Sequence, residues 1–127
     1  MKTRYAVALS VLIGIAIGAV GVESIRAQAR PPVYYIIETE VTNLDAYLKE
    51  YAPRAEANIR AFGGRILAAG TKVATIEGEP PKPRVAIVVW ENIDEVQTWR
   101  DSAEFKEIRI LGDKYASFRA FTVEGLP

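Results

Sequence analysis

The sequence predicts one α+β domain built in the order β-α-β-β-α-β. Three observations carry that expectation. Runs dense in Val, Ile, Tyr and Phe, above all 33–41, 84–90 and 117–124, have strand composition. Two stretches, 44–62 and 92–116, repeat their apolar residues at helical spacing. Gly- and Pro-rich breaks separate these segments, and the region after residue 29 is too short for a second domain.

The elements follow in order. Val33 to Val41 is the first strand. Asn43 is a favourable N-cap and Thr42-x-x-Asp45 has capping-box spacing, so a helix begins there. Leu44, Tyr47, Leu48, Tyr51, Ala55, Ile59 and Phe62 share one stripe of that helix. Pro53 removes a backbone donor and predicts a kink near Tyr51. Gly63-Gly64 ends the helix, with Gly63 in the left-handed cap position. Arg65 to Ala69 and Val73 to Glu77 are short strand-like runs about a bend at Gly70, and the Gly78–Pro83 segment, carrying three prolines, is a loop. Arg84 to Trp90 is nearly all apolar and is the strongest strand. Asn92-x-x-Glu95 caps a short helix carrying Ile93, Val96 and Trp99; Ser102 caps another from Ala103 to Ala116; Ser117 to Glu124 is the last strand. This is the split βαβ plan of a ferredoxin-like domain.

Composition removes several functional classes. The 127 residues contain no Cys and no His, with 16 basic and 16 acidic side chains. Without Cys there is no disulfide framework, thiol nucleophile or zinc ribbon. Without His there is no Ser-His-Asp triad, His-ligated metal or haem, or imidazole acid/base. A net charge of zero argues against nucleic acid as a partner.

Residues 1–29 have the plan of an export signal: Lys2 and Arg4, an uncharged run from Ala6 to Val22, then Ala27-Gln28-Ala29 before a cleavage point at Arg30. The alternative is an uncleaved membrane anchor formed by residues 6–22, whose length of about 25 Å as a helix lies at the lower limit for a core of about 30 Å. Cleavage removes three of 16 basic and one of 16 acidic residues, leaving 13 and 15 and a net charge of −2. Residues 30–32 are then a linker and 33–127 the domain, exported to the periplasm or secreted.

Alternation along the strands implies a partner. Val85, Ile87 and Val89 oppose Ala86, Val88 and Trp90; Tyr34 and Ile36 oppose Tyr35 and Ile37; Phe121 and Val123 oppose Phe118 and Ala120. A strand apolar on both faces is covered on both. Helices cover one face, so a second copy is expected on the other, giving a homodimer through the open sheet face.

Several motifs together resemble a known family. Tyr47-x-x-x-Tyr51, Phe62-Gly63-Gly64-Arg65, Glu77-Gly78 before the Pro-rich loop, Trp90-Glu91, Trp99, Ser102-x-Glu104-Phe105 with Arg109, and Val123-Glu124-Gly125 resemble domain of unknown function 1330, within the dimeric α+β barrel superfamily. The likeness spans Tyr34 to Gly125. Members typically carry Tyr where Phe105 stands, and the export leader is an addition to the usual form. The resemblance implies the fold and a dimer. It implies no settled activity.

Candidate residues for chemistry are few. At about 100° per residue from Phe105, Arg109 lies on the inward arc of its helix with Gly112 and Ala116. Its guanidinium suits a carboxylate, phosphate or enolate oxygen. The competing reading is an ion pair with Glu38 or Glu91, or a stem lying on apolar surface. Tyr51 sits mid-stripe beside the expected kink, either as a donor to a ligand or as a core Tyr bonded to backbone. Tyr35, Trp90 and Phe105 are candidate ligand-wall aromatics, although Tyr35 and Trp90, like Trp99, are of a kind more often found in a core or interface than stacked on a ligand. Glu38, Glu40 and Glu91 fit a solvated edge better than a metal site, Glu56 and Arg60 an i,i+4 surface pair. Neither metal nor cofactor is expected.

Two functions remain. One is a protein that binds a small organic ligand in a cavity between sheet and helices. The other is a small cofactor-independent enzyme, oxygenase- or isomerase-like, using Arg109 and Tyr51. The latter rests on analogy with superfamily relatives, which the resemblance implies include monooxygenases and isomerases without cofactors.

Overall fold

In the computed structural model, which describes residues 30–127, Val33–Val41 forms a strand (β1) at the interior of a four-stranded antiparallel sheet. Arg65–Gly70 (β2), Arg84–Trp90 (β3) and Ala116–Glu124 (β4) complete it in the order β2-β3-β1-β4. The first helix, α1, has three contiguous parts: an α-turn Leu44–Ala46, a π-helical turn Tyr47–Tyr51 and an α-helical run Ala52–Ala61. Ile93–Asp101 (α2) and Ala103–Asp113 (α3) lie between β3 and β4. The chain therefore runs β-α-β-β-α-β in the ferredoxin-like order. The expected signal or anchor, residues 1–29, lies outside the described residues. Among the described residues no helix is long and apolar enough to cross a membrane.

Pro53 acts differently from the expected kink. In an α-helix its ring would meet the carbonyl four residues back, at Lys49. The helix instead widens by one residue, so that the Ala52 amide donates to the Tyr47 carbonyl, and Pro53 falls in the first turn of the following α-helical run. The extra residue turns both Tyr47 and Tyr51 toward the sheet, where both are buried. Asn43 caps α1 through Oδ1 at 3.2 Å from the Ala46 amide. Thr42 takes no part in a capping box: its hydroxyl donates to the Tyr115 carbonyl at 3.0 Å. The Thr42 and Asn43 amides donate to the same carbonyl. These bonds tie the chain after Asp113 to the end of β1, which is why α3 stops there and Ala116 pairs with Val41 instead of extending the helix.

Val73 to Glu77 is not a strand. Both sides of β3 are taken by β1 and β2, and after Gly70 (φ 152°) the run pairs with neither of the two edge strands, β2 and β4. Ile76 is 93% exposed. Gly63 has φ 103°, the left-handed cap conformation. Gly64 is required by closeness: a Cβ there would lie 2.6 Å from Ile59 Cγ2 and 2.8 Å from Trp90 Cζ2.

The core lies on the helix side of the sheet. Val33, Tyr35, Val88 and Trp90 from the strands meet Val96, Trp99 and Phe105 from α2 and α3. Trp99 touches Trp90, Tyr35 and Phe105 with ring centroids 4.9, 5.1 and 4.8 Å away. The opposite face carries Tyr34, Ile36, Val85, Ile87, Val89, Phe121 and Val123, with Phe121 46% and Val123 54% exposed. Glu38 on that face is not the solvated carboxylate its position suggested. It is 5% exposed, accepts from the Lys82 amide at 3.0 Å and from Arg119 Nη1 at 3.0 Å.

Candidate functional site

The helix-side face of the sheet is not filled throughout. Toward the end of β1 that carries Thr39 it bounds a cavity of about 150 Å³ between β1, β3, α1 and α3. Tyr35, Ile37 and Thr39 supply its floor from β1, and Arg84, Ala86 and Val88 from β3. Helix α1 contributes Tyr47, Tyr51, Glu56 and Asn58; α3 contributes Phe105, Ile108 and Arg109. Trp99 and Phe118 close it.

Each part is positioned by local sequence. The Ser102 hydroxyl caps α3 by accepting from the Phe105 amide at 3.1 Å, and Arg109 follows one turn later on the same inward arc. Gly112 lets α3 approach α1, since a Cβ there would lie 2.5 Å from Tyr51 Cε2. The π-turn aims Tyr47 and Tyr51 together, with ring centroids 5.2 Å apart. On the sheet, Thr39 faces Arg84 across one ladder and Phe118 across the other, so these three form one row. The buried Asn58 accepts from Trp99 Nε1 at 2.8 Å and holds the far wall.

Electrostatically the site holds two cations with unspent donors. Arg109 carries its guanidinium 4.0 Å from the Phe118 ring centre and 5.1 Å from that of Phe105. Arg84 lies 5.4 Å from the centre of the Tyr47 ring. The Nε atoms of both arginines are buried and have no hydrogen-bond partner among the described residues. Neither takes part in a salt bridge among the described residues. The expected partners of Arg109 are elsewhere, because Glu38 is on the other face bound to Arg119 and Glu91 is exposed. Burial pushes the Tyr51 phenol up to about 12, with the Arg109 cation opposing it. Burial also raises Tyr47, against the Arg84 cation and the Thr39 hydroxyl. Both phenols are therefore neutral donors near neutral pH. Glu56 is the one carboxylate on the wall, and it is exposed rather than paired with Arg60. Among the described residues no three acidic side chains converge as a metal site.

Of the residues singled out from sequence, Arg109, Tyr51, Tyr35 and Phe105 line the cavity. Trp90 does not reach it, because its ring packs under Trp99 and against Gly64. The Tyr35 hydroxyl is already engaged, accepting from Arg100 Nη1 at 2.9 Å. Sequence reasoning missed Arg84 and Thr39. The signal was available: continuing the alternation Trp90, Val88, Ala86 back by one step puts a cation on the buried face.

A family model described as "Domain of unknown function (DUF1330)" matches residues 32–126. No curated protein sequence matches. Among solved structures the chain is similar to a protein of unknown function from Rhodopseudomonas palustris, at TM-score 0.61 and 13% identity, over 83% of this chain and 91% of that one. It is also similar to SnoaB, a cofactor-independent oxygenase from Streptomyces nogalater, at TM-score 0.56 and 14% identity, over 73% and 91%. A conserved protein of unknown function from Bacteroides thetaiotaomicron, described as a possible oxidoreductase, gives TM-score 0.51 and 13% identity, over 76% and 99%. At these identities the likeness concerns the fold.

Proposed function

The chain belongs to the DUF1330 family, and on that premise we propose that its domain binds a small organic anion in the cavity between sheet and helices. One observation carries the reading: Arg109 is held by two aromatic rings beside an apolar cavity, with a buried Nε that nothing among the described residues accepts from. A buried donor left without a partner costs roughly 1–3 kcal/mol, so a structural role alone is a poor reason to keep it. A ligand oxyanion would satisfy it, with Tyr51 as a second donor. The test is native mass spectrometry of the chain purified from its host, alongside Arg109→Met. The wild type is expected to carry a small organic adduct. Arg109→Met is expected to lose it, since a hydrogen bond to a charged group contributes about 1.5–3 kcal/mol, on the order of 10- to 100-fold in affinity. Its thermal stability should change little, because Met keeps the apolar stem and contacts with the two rings. A large loss of stability together with no adduct on the wild type would make Arg109 structural and end the proposal.

A second reading is favoured by the Tyr51–Arg109 juxtaposition. A neutral phenol beside a guanidinium is suited to an enolate oxygen, as in an isomerase- or oxygenase-like reaction without cofactor. The fold similarity to a cofactor-independent oxygenase agrees with it. The exposed Glu56 as the one carboxylate on the wall is a weak supply of base, which places binding first.

The proposal includes a homodimer through the open sheet face and an exported location read from residues 1–29. The dimer rests on the apolar strip from Tyr34 to Val123; of the two acids of β1 on that face, Glu38 is paired with Arg119 and Glu40, at the end of the strand, with Lys82. Light scattering should give twice the chain mass, and Phe121→Glu, by placing a charge on that strip, should shift it to one. A wild-type monomer would remove this part.

A further inference from the structure

We propose that Arg84 and Arg109 close as a pair on a single carboxylate, and that the acid they hold has a body no larger than one aromatic ring. This rests on the anion-binding reading above and deepens it.

Both guanidiniums show the same incompleteness. Each lies over an aromatic ring, Arg84 on Tyr47 and Arg109 on Phe118, and each has a buried Nε–H without an acceptor. Contact with a ring face positions a cation and leaves the donors in its plane unused. The two cations serve one end of one cavity. Arg84, Thr39 and Phe118 lie in a single row across β3, β1 and β4, so the Cα atoms at its ends are about 10 Å apart at normal strand spacing. Arg109 comes down onto Phe118 from the helix layer, and the Tyr47 phenol feels both cations.

Two like charges facing a half-buried space repel, and the exposed Glu56 is the one acidic side chain on the wall. A single carboxylate placed between them removes the repulsion and accepts from both forks at once. Tyr47 and Tyr51, neutral and aimed at the same end, can donate to its remaining lone pairs. Most of the remaining wall is apolar and largely aromatic, with Tyr35, Ile37, Val88, Trp99 and Phe105, and the amide oxygen of Asn58 is already taken by Trp99. Inorganic phosphate would leave that part unfilled. The volume of about 150 Å³ sets the size, since an apolar cavity of about that volume accepts a benzene ring. Fused rings and long acyl chains exceed that volume.

Isothermal titration of the full chain with benzoate, benzamide, inorganic phosphate and 2-naphthoate tests this directly. Benzoate is expected to bind at least tenfold more tightly than the other three. Arg84→Gln and Arg109→Gln should each weaken benzoate at least tenfold and leave benzamide unchanged. Arg84→Lys serves if the Gln variant does not fold: it keeps the charge, loses the planar fork and should show an intermediate loss. Loss in Arg109→Gln with none in either Arg84 variant overturns the pair and leaves the anion-binding reading standing. Equal binding of phosphate or 2-naphthoate overturns the assigned ligand class. No binding by any of the four overturns the inference, and the native mass spectrum then decides separately whether the cavity takes an organic anion at all.

Discussion

Replacing Trp99 with alanine is expected to lower stability by about 3–5 kcal/mol, the usual range for emptying a large aromatic site in a core. Trp99 is 3% exposed and its ring joins Trp90, Tyr35 and Phe105. Its indole N–H also closes on Asn58 Oδ1 at 2.8 Å. Alanine removes the ring and strands a buried amide oxygen together, so transfer, cavity and hydrogen-bond losses act in one direction. At the lower end of the usual domain stability of about 5–15 kcal/mol, that is enough to unfold much of the population at 37 °C. Trp99→Phe separates the two losses, keeping most of the ring and forfeiting roughly 1–3 kcal/mol for the unpaired oxygen. Asn58→Ala should cost a similar amount, and combining it with Trp99→Phe should cost less than the two separately because one bond is lost twice. Urea unfolding followed by far-ultraviolet circular dichroism measures all four. A loss under 1 kcal/mol for Trp99→Ala would mean that the aromatic cluster is not what holds the helices to the sheet.

Most of the fold was legible because each element announces itself locally. The β-branched runs, the caps at Asn43, Asn92 and Ser102, and the glycine at 63 act within a few residues of where they stand. The misreadings came where a distant partner decides. Val73 to Glu77 has strand composition, but whether a run becomes a strand depends on which ladder it meets: both sides of β3 are taken, and the chain leaves β2 at Gly70 without returning to its free edge. Ala103 to Ala116 has helical composition to its end, yet the Tyr115 carbonyl is taken by the amides of Thr42 and Asn43, more than seventy residues away in sequence. Pro53 was correctly located as a disturbance. Its outcome as a widened turn was not readable, because that form is favoured by the burial of Tyr47 and Tyr51 against the sheet.

The site was legible by half, for a related reason. Arg109 stands out because a cation on the apolar arc of a helix contradicts its surroundings. Arg84 contradicts its surroundings equally, but it opens a strand, where charges usually reach solvent, so the alternation back from Trp90 that puts it on the buried face is easily passed over until its register with Thr39 is known. Trp90 illustrates the opposite error. A large aromatic at a strand end suits a ligand wall, and only the closeness of Gly64 and Trp99 shows that core packing accounts for it.

Tyr51 gives the domain a sensitivity to alkali that runs in one direction. Its phenol is neutral in both folded and unfolded chains below the ordinary value of 10.0. Above that, the unfolded chain releases the proton while burial holds it in the folded one up to about 12. The unfolded state then binds fewer protons, so stability falls as pH rises between about 10 and 12 and is flat below. The full effect of that displacement is roughly 2–3 kcal/mol, and Tyr47, raised by the same cause, acts in the same sense. Urea midpoints taken at pH 8, 9.5, 10.5 and 11 should therefore drop more steeply for wild type than for Tyr51→Phe, which has no proton to lose. Parallel curves would show that Tyr51 titrates as freely in the folded chain as in the unfolded one. Arg109→Met should carry the decline to higher pH than in wild type, because the guanidinium is what opposes the rise. The same physics fixes the phenol's role in the cavity: below pH 10 Tyr51 donates a hydrogen bond and does not take a proton. Anion binding should accordingly be independent of its titration from pH 6 to 9, and a proton-abstraction role for this tyrosine would require activity that appears only above that range.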